Sequence, residues 1–196
     1  PNKLKNAKKI IKQLPLYWGS QPITSGPTYA GSIIVFLFVL GLFIVKGRFK
    51  YWILSATVLS ILLAWGKNFM FLTDLFLDYF PAYNKFRAVS MILVVAEFTI
   101  PLLAIMALDT ALKFKKDSKL IIENKLKYSY YIVGGFCLVL ALLPSLAGDF
   151  SGMQDQTLQS NGFPIDAIVE DRKSLLSSDA FRSFVFITIS FILILV

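Results

Sequence analysis

Ala88-Val-Ser-Met-Ile-Leu-Val-Val-Ala-Glu-Phe-Thr-Ile-Pro-Leu-Leu-Ala-Ile-Met-Ala-Leu108 is a run of 21 residues in which Glu97 is the one ionisable side chain. About 20 mostly apolar residues are what a helix needs to cross about 30 Å of hydrocarbon. The stretch therefore reads as a membrane helix, and the rest of the chain repeats the pattern. Thr28–Val45 is apolar, entered through Pro27 and closed by Lys46-Gly47-Arg48. Tyr51–Trp65 is shorter and carries aromatic residues at both ends, as a helix anchored at both interfaces would. Tyr128–Ala147 follows, with Tyr128, Tyr130 and Tyr131 as its aromatic belt, and a fifth run begins near Phe181.

Composition agrees. The 196 residues are 56% hydrophobic and 16% charged, with a mean hydropathy of +0.67, a balance that suits a lipid solvent better than water. The fold expected is all-α and polytopic, with about five membrane helices plus interfacial ones. Four organisational segments follow: a lead-in over 1–27, four membrane helices over 28–147 with an interfacial helix at 69–80, a loop and surface helix over 148–180, and a further membrane helix from 181. Within the third segment, 148–163 reads as a mobile loop and 164–178 as a short surface helix, with Ser177 or Ser178 available to cap the last helix. The chain opens at Pro1 and stops within the run 191–196, so we expect it to be an excerpt of something longer. No secretory signal stands at its start.

Charge sets an orientation. The loop 46–50 holds three basic residues and no acidic one, 109–127 holds six basic against three acidic, and 148–180 holds two basic against six acidic. Basic loops stay cytoplasmic, which places the first two inside and the last outside, together with 66–87 and the lead-in. Lys3, Lys5, Lys8, Lys9 and Lys12 run against the rule, so the orientation of that stretch is expected to be set upstream. The net charge of +8 is scattered among these loops and not gathered with aromatics on one soluble face, so the partner expected is lipid head groups and no nucleic acid.

Histidine is absent and Cys137 is the single cysteine, set in an apolar run. That removes disulfides, Cys-based metal sites and every Ser-His or Cys-His nucleophile, and leaves Cys137 to packing. No metal or cofactor site is evident, although paired carboxylates can bind a divalent cation.

Four places can carry chemistry. Leu16–Pro27 is turn-rich, and Tyr17, Trp18 and Gln21 either connect structurally or line a polar pocket where aromatics stack on a sugar or isoprenoid. In 69–80, Asp74 and Asp78 lie one helical turn apart, with Lys67 and Lys85 extending the stripe. They form either a solvated face or a pair that binds a divalent cation or orients a hydroxyl. Lys85 and Arg87 flank the third membrane helix, where snorkelling to lipid phosphates and binding a substrate phosphate use the same geometry. Glu97 lies ten residues beyond Arg87, which on a continuous helix is about 15 Å deeper. An acid there makes a structural hydrogen bond, faces a substrate cavity, or couples protons or ions, and Pro101 leaves its carbonyl without a helical donor.

The strings Tyr17-Trp-Gly-Ser-Gln-Pro22, Thr24-Ser-Gly-Pro27, Ser60-Ile-Leu-Leu-Ala-Trp-Gly-Lys-Asn-Phe-Met70 and Tyr83-Asn-Lys-Phe-Arg-Ala-Val-Ser-Met-Ile-Leu-Val-Val-Ala-Glu97 together resemble the YfhO-like bacterial membrane protein family, in its Bacteroidota form. The likeness covers most of 15–108, and Asp171-Arg-Lys-Ser-Leu-Leu-Ser-Ser-Asp-Ala-Phe-Arg182 is similar too. The resemblance implies an inner-membrane protein similar to GT-C glycosyltransferases. These use polyprenyl-phosphate-linked sugars outside the cytoplasm to modify an envelope glycan or glycolipid. It implies Lys85 and Arg87 as contacts to the lipid-linked phosphate, and a catalytic loop outside this stretch. Two other readings stand beside it: a transporter or flippase of lipid-linked substrates, for which Glu97 speaks, and a noncatalytic envelope assembly protein.

Overall fold

The computed structural model describes residues 18–19, 29–81, 83–85, 89–113, 119–152, 154–160 and 162–195. Among these the chain is all-α, with seven α-helices: α1 (Ser32–Ile44), α2 (Phe49–Ala64), α3 (Met70–Tyr79), α4 (Leu93–Lys113), α5 (Lys119–Leu142), α6 (Asp155–Ser160) and α7 (Ile165–Leu195). Three are long and apolar enough to cross a membrane: α4, α5 over Ile122–Leu142, and α7. This is the construction of a multi-pass membrane protein.

Helix boundaries depart from the hydropathy windows in instructive ways. The first two windows give helices of 13 and 16 residues, about 20 and 24 Å long, short of a full crossing by helix length alone. The third begins at Leu93, not Ala88, because Val89–Ile92 winds as a 3-10 turn. It continues to Lys113, where Lys113 pairs with Asp109 at 2.8 Å one turn back. The fourth starts earlier, at Lys119, and ends at Leu142, since Pro144 opens a separate 3-10 turn. The surface helix and fifth membrane helix expected as two are one, α7, 31 residues or about 46 Å long. Ser177 and Ser178 therefore cap nothing; they lie inside the helix, and Ser177 Oγ donates to the Ala141 carbonyl at 2.6 Å.

The described residues divide into two compact units. The larger holds 29–136 and 183–195. Its centre is α4, against which α1 and α2 both pack. On α1 the buried stripe is Phe36, Leu37, Leu40, Gly41 and Ile44, at intervals of three and four. Opposite stand Leu103, Ala104 and Ala107 of α4, all fully buried. A Cβ on Gly41 would lie 2.8 Å from Leu103 Cγ and 2.9 Å from the Leu103 carbonyl oxygen, so the helices approach as closely as a missing side chain permits. The α2 stripe is Ile53, Thr57, Ser60 and Leu63. Thr57 and Thr99 share a hydroxyl–hydroxyl bond of 2.7 Å, and each hydroxyl also reaches the carbonyl four residues back, at 2.8 Å.

The four-residue link between α1 and α2 turns at Gly47, whose φ of +103° would strain any side chain. Lys50 Nζ donates to the Leu42 carbonyl at 2.8 Å and so caps the end of α1. In the same unit α5 meets the last part of α7. Tyr130 stacks on Phe191 at 4.7 Å and shares a 3.1 Å hydrogen bond with Thr188.

The smaller unit holds 18–19 and 137–182. Its core is polar. Arg172, on α7, is fully buried, in register with Ile168 and Ala180 on the same helical stripe.

Candidate functional site

The stretch between α2 and α4 gathers the candidate residues of the larger unit. Gly66–Phe69 is a 3-10 turn, α3 follows, and Tyr83–Lys85 is another 3-10 turn. α3 is held by Thr73, buried, whose hydroxyl lies 3.1 Å from the Gly66 carbonyl and 3.3 Å from that of Phe69. Phe76 packs on Phe80 and Tyr83, each at 5.6 Å, and folds the exit of α3 back on itself.

Asp74 and Asp78 are both exposed on α3, one turn apart as the spacing implies. Phe71 and Tyr79, on the same helix, are each 79% exposed. The longer stripe through Lys67 and Lys85 does not form. Phe69 breaks the helix on one side, and on the other Phe80 is extended because Pro81 bars it from helical geometry. Lys85 is exposed in its own turn. Arg87, Tyr17 and Gln21 lie outside the described residues.

Glu97 sits in the second turn of α4, while the midpoint of that 21-residue helix is Leu103. Six residues, or about 9 Å of helix, separate the two. Glu97 is exposed, as are Val94 and Phe98, whereas Ala96 and Thr99 are buried. Its carboxylate thus faces away from the polar seam that Thr57 and Thr99 build. The helix runs through Pro101 without interruption.

Trp18, a candidate pocket residue, packs on Phe150, with ring centroids 4.9 Å apart. Next to it Gly19 N–H donates to the Ser151 carbonyl at 2.7 Å. Phe150 adopts φ +58°, rare for a bulky residue, and is completely buried. Arg172 fixes it: Nη1 donates to the Phe150 carbonyl at 2.7 Å and to Asp155 Oδ2 at 2.9 Å, and Nη2 donates to Asp155 Oδ1 at 2.8 Å. Asp155 Oδ2 also accepts from Gly152 N–H at 2.7 Å. The Arg172 guanidinium and the Gly152 amide hold the Asp155 carboxyl below the usual carboxylate range. A Cβ on Gly152 would come 3.0 Å from Arg172 Nη2 and 3.1 Å from Asp155 Oδ1, so the ion pair would have to give by a few tenths of an ångström.

The segment 148–163, expected as an unpatterned loop, thus contains α6 and is tied to α7 by a buried, bidentate ion pair. Sequence reasoning missed this cluster. The signal was Arg172 falling four residues from Ile168 and eight from Ala180, where an apolar residue belongs.

Among the described residues no group of three His, Cys, Asp or Glu side chains could hold a metal ion, and Asp74 with Asp78 supplies two ligands. No protein-family model, curated protein or solved structure matches the chain.

Proposed function

We propose that this chain is part of an inner-membrane, GT-C-like glycosyltransferase that moves a sugar from a polyprenyl-phosphate donor onto an envelope glycan or glycolipid. The reading rests on the family resemblance. The observation that supports it is the α2–α4 connection: exposed carboxylates at Asp74 and Asp78, exposed aromatic rings at Phe71 and Tyr79, and exposed Lys85 share one short segment at one end of the α2–α4 pair. Transfer needs those types of group. The acceptor hydroxyl attacks the anomeric carbon and its proton passes to a carboxylate, while the bond from that carbon to the phosphate oxygen breaks and its electron pair leaves with the phosphate. Cationic side chains stabilise the charge that develops there. Lys85 and Arg87 take that role here, and Asp74 or Asp78 positions the acceptor.

The test is sugar transfer by the full-length protein in proteoliposomes supplied with polyprenyl-phosphate sugars. Arg87→Ala should lower transfer by about 100-fold or more, the scale for removing one charge-stabilising donor. Asp74→Asn should lower it less if Asp78 shares its work. No transfer by the wild type across a broad donor panel would sink the reading. Lipid-linked substrate flux that is abolished by Glu97→Gln would put the transport reading in its place.

A further inference from the structure

The opposite end of the larger unit carries a second cluster, which glycosyl transfer does not use. Lys46-Gly-Arg-Phe-Lys-Tyr-Trp52 holds three cations and three aromatic rings in seven residues, with no acid. Phe49, Tyr51 and Trp52 are 55, 60 and 75% exposed, too much apolar ring to leave in water without a reason. Two of the nearby cations are already placed. Lys50 caps the Leu42 carbonyl and lies 5.2 Å over the Tyr51 ring. Lys125, from α5, lies 5.7 Å over Phe43 and 5.8 Å over Tyr128, which brings a positive charge from a distant part of the chain to the end of α1. Lys46 and Arg48 are exposed, and among the described residues neither has an acidic partner.

We propose that this rim is a binding site for the phosphate of an anionic phospholipid. The chemistry needs both halves of the cluster. Exposed Trp, Tyr and Phe settle at head-group level, where their rings meet acyl chain and their edges meet water. At that level Lys46 and Arg48 meet lipid phosphate, and Arg offers it two parallel donors. The carbonyl end of α1 would repel an anion, and Lys50 neutralises it. Lys125, held against two rings, adds a fixed positive wall. A free phosphate ion would satisfy the cations and leave the three rings in water, so the lipid is the better occupant.

Nanodiscs of equal phosphatidylglycerol and phosphatidylcholine test this, because they expose both membrane faces and remove any effect of the charges on insertion direction. The lipids that stay bound to the protein on release into the gas phase are counted. Each basic residue near an anionic surface contributes about fivefold, so Lys46→Gln with Arg48→Gln should reduce the preference for phosphatidylglycerol on the order of 25-fold. Lys46→Arg with Arg48→Lys keeps the charge and should keep the preference, whereas Arg182→Gln, which removes a cation paired with Asp179, should change nothing. Equal preference in the wild type and the double glutamine variant overturns the proposal. So does loss of the lipid in the charge-conserving variant, or its displacement by millimolar inorganic phosphate at constant ionic strength.

Discussion

Three glycines in the apolar helices should respond to the same substitution in three different ways. At Gly41 a new methyl meets Leu103 Cγ at 2.8 Å, the Leu103 carbonyl oxygen at 2.9 Å and Ala107 Cβ at 3.3 Å. The side chain of Leu103 can rotate away; its carbonyl cannot, because it belongs to the backbone of α4. Gly41→Ala must therefore push α1 off α4. Overpacking of this kind costs about 1–3 kcal/mol, and the better helix propensity of Ala returns up to about 1 kcal/mol. With the full propensity gain the net loss is up to about 2 kcal/mol, which at about 2–4 °C per kcal/mol for a chain of this size lowers Tm by up to roughly 8 °C. At Gly134 the methyl finds the Tyr130 ring at 3.4 Å, the near edge of ordinary contact, and Ile187 Cγ2 at 3.7 Å, so crowding offsets the propensity gain of Ala and little should change. At Gly135 it finds nothing within 4 Å, so only the propensity gain remains and Tm should rise by a few degrees. Thermal unfolding of the three variants in one detergent, followed by circular dichroism, gives the ranking. A Gly41→Ala protein as stable as the Gly135→Ala protein would refute the close approach of α1 and α4.

Other consequences can be measured independently. Asp155 has its pKa lowered by Arg172, so its contribution to stability is complete above the unfolded carboxylate value near 3.9 and is lost as pH falls through the lower folded value. Protection of the Gly19 and Gly152 amides against hydrogen exchange, relative to the intrinsic rate at each pH, should fall in that acidic window, and Asp155→Asn should produce the same loss of protection at neutral pH by leaving Arg172 buried beside a neutral group. Removing one partner of a buried pair costs about 3–5 kcal/mol, enough to open the smaller unit locally; unchanged exchange would show that the pair does not hold the segment. Thr57→Val, by contrast, should cost only about 0.6 kcal/mol, the mean for hydrogen bonds between membrane helices, because Thr99 keeps its bond to the Val95 carbonyl. A loss several times larger, read in the same unfolding assay, would mean that the hydroxyl pair is a major determinant of α2–α4 docking.

Much of the architecture was legible because hydropathy depends on composition over many residues. Helix covers most of the 88–108 run and the tyrosines at 128–131, and a short helix carries Asp74 and Asp78, as hydropathy and spacing imply. Boundaries were less legible, for reasons that differ from place to place. The change from 3-10 to α at Leu93 has no mark in a run that is apolar on both sides. The union of the surface helix with the last membrane helix was hidden because Ser177 and Ser178 look like a cap, and a serine in a helix interior gives the same sequence. The candidate site was legible only as residue types. Periodicity found the Asp74–Asp78 face, but extending it to Lys85 ignored what Pro81 does to Phe80. Long-range pairing was least legible: the meeting of Arg172 with Asp155, or of Lys125 with Phe43, is set by tertiary packing that no local pattern encodes.

The shortness of α1 and α2 has a consequence for the bilayer itself. Helices of about 20 and 24 Å stand beside a 31 Å neighbour, α4, whereas the hydrocarbon of a bilayer is about 30 Å thick. Backbone outside a helix cannot be left unbonded in lipid, so α1 and α2 could span only where the surrounding leaflets dip to meet their ends. Such a dimple would make the protein partition toward thinner membranes, and it would let a long, flexible lipid tail turn or exchange beside α1 more easily than in flat bilayer.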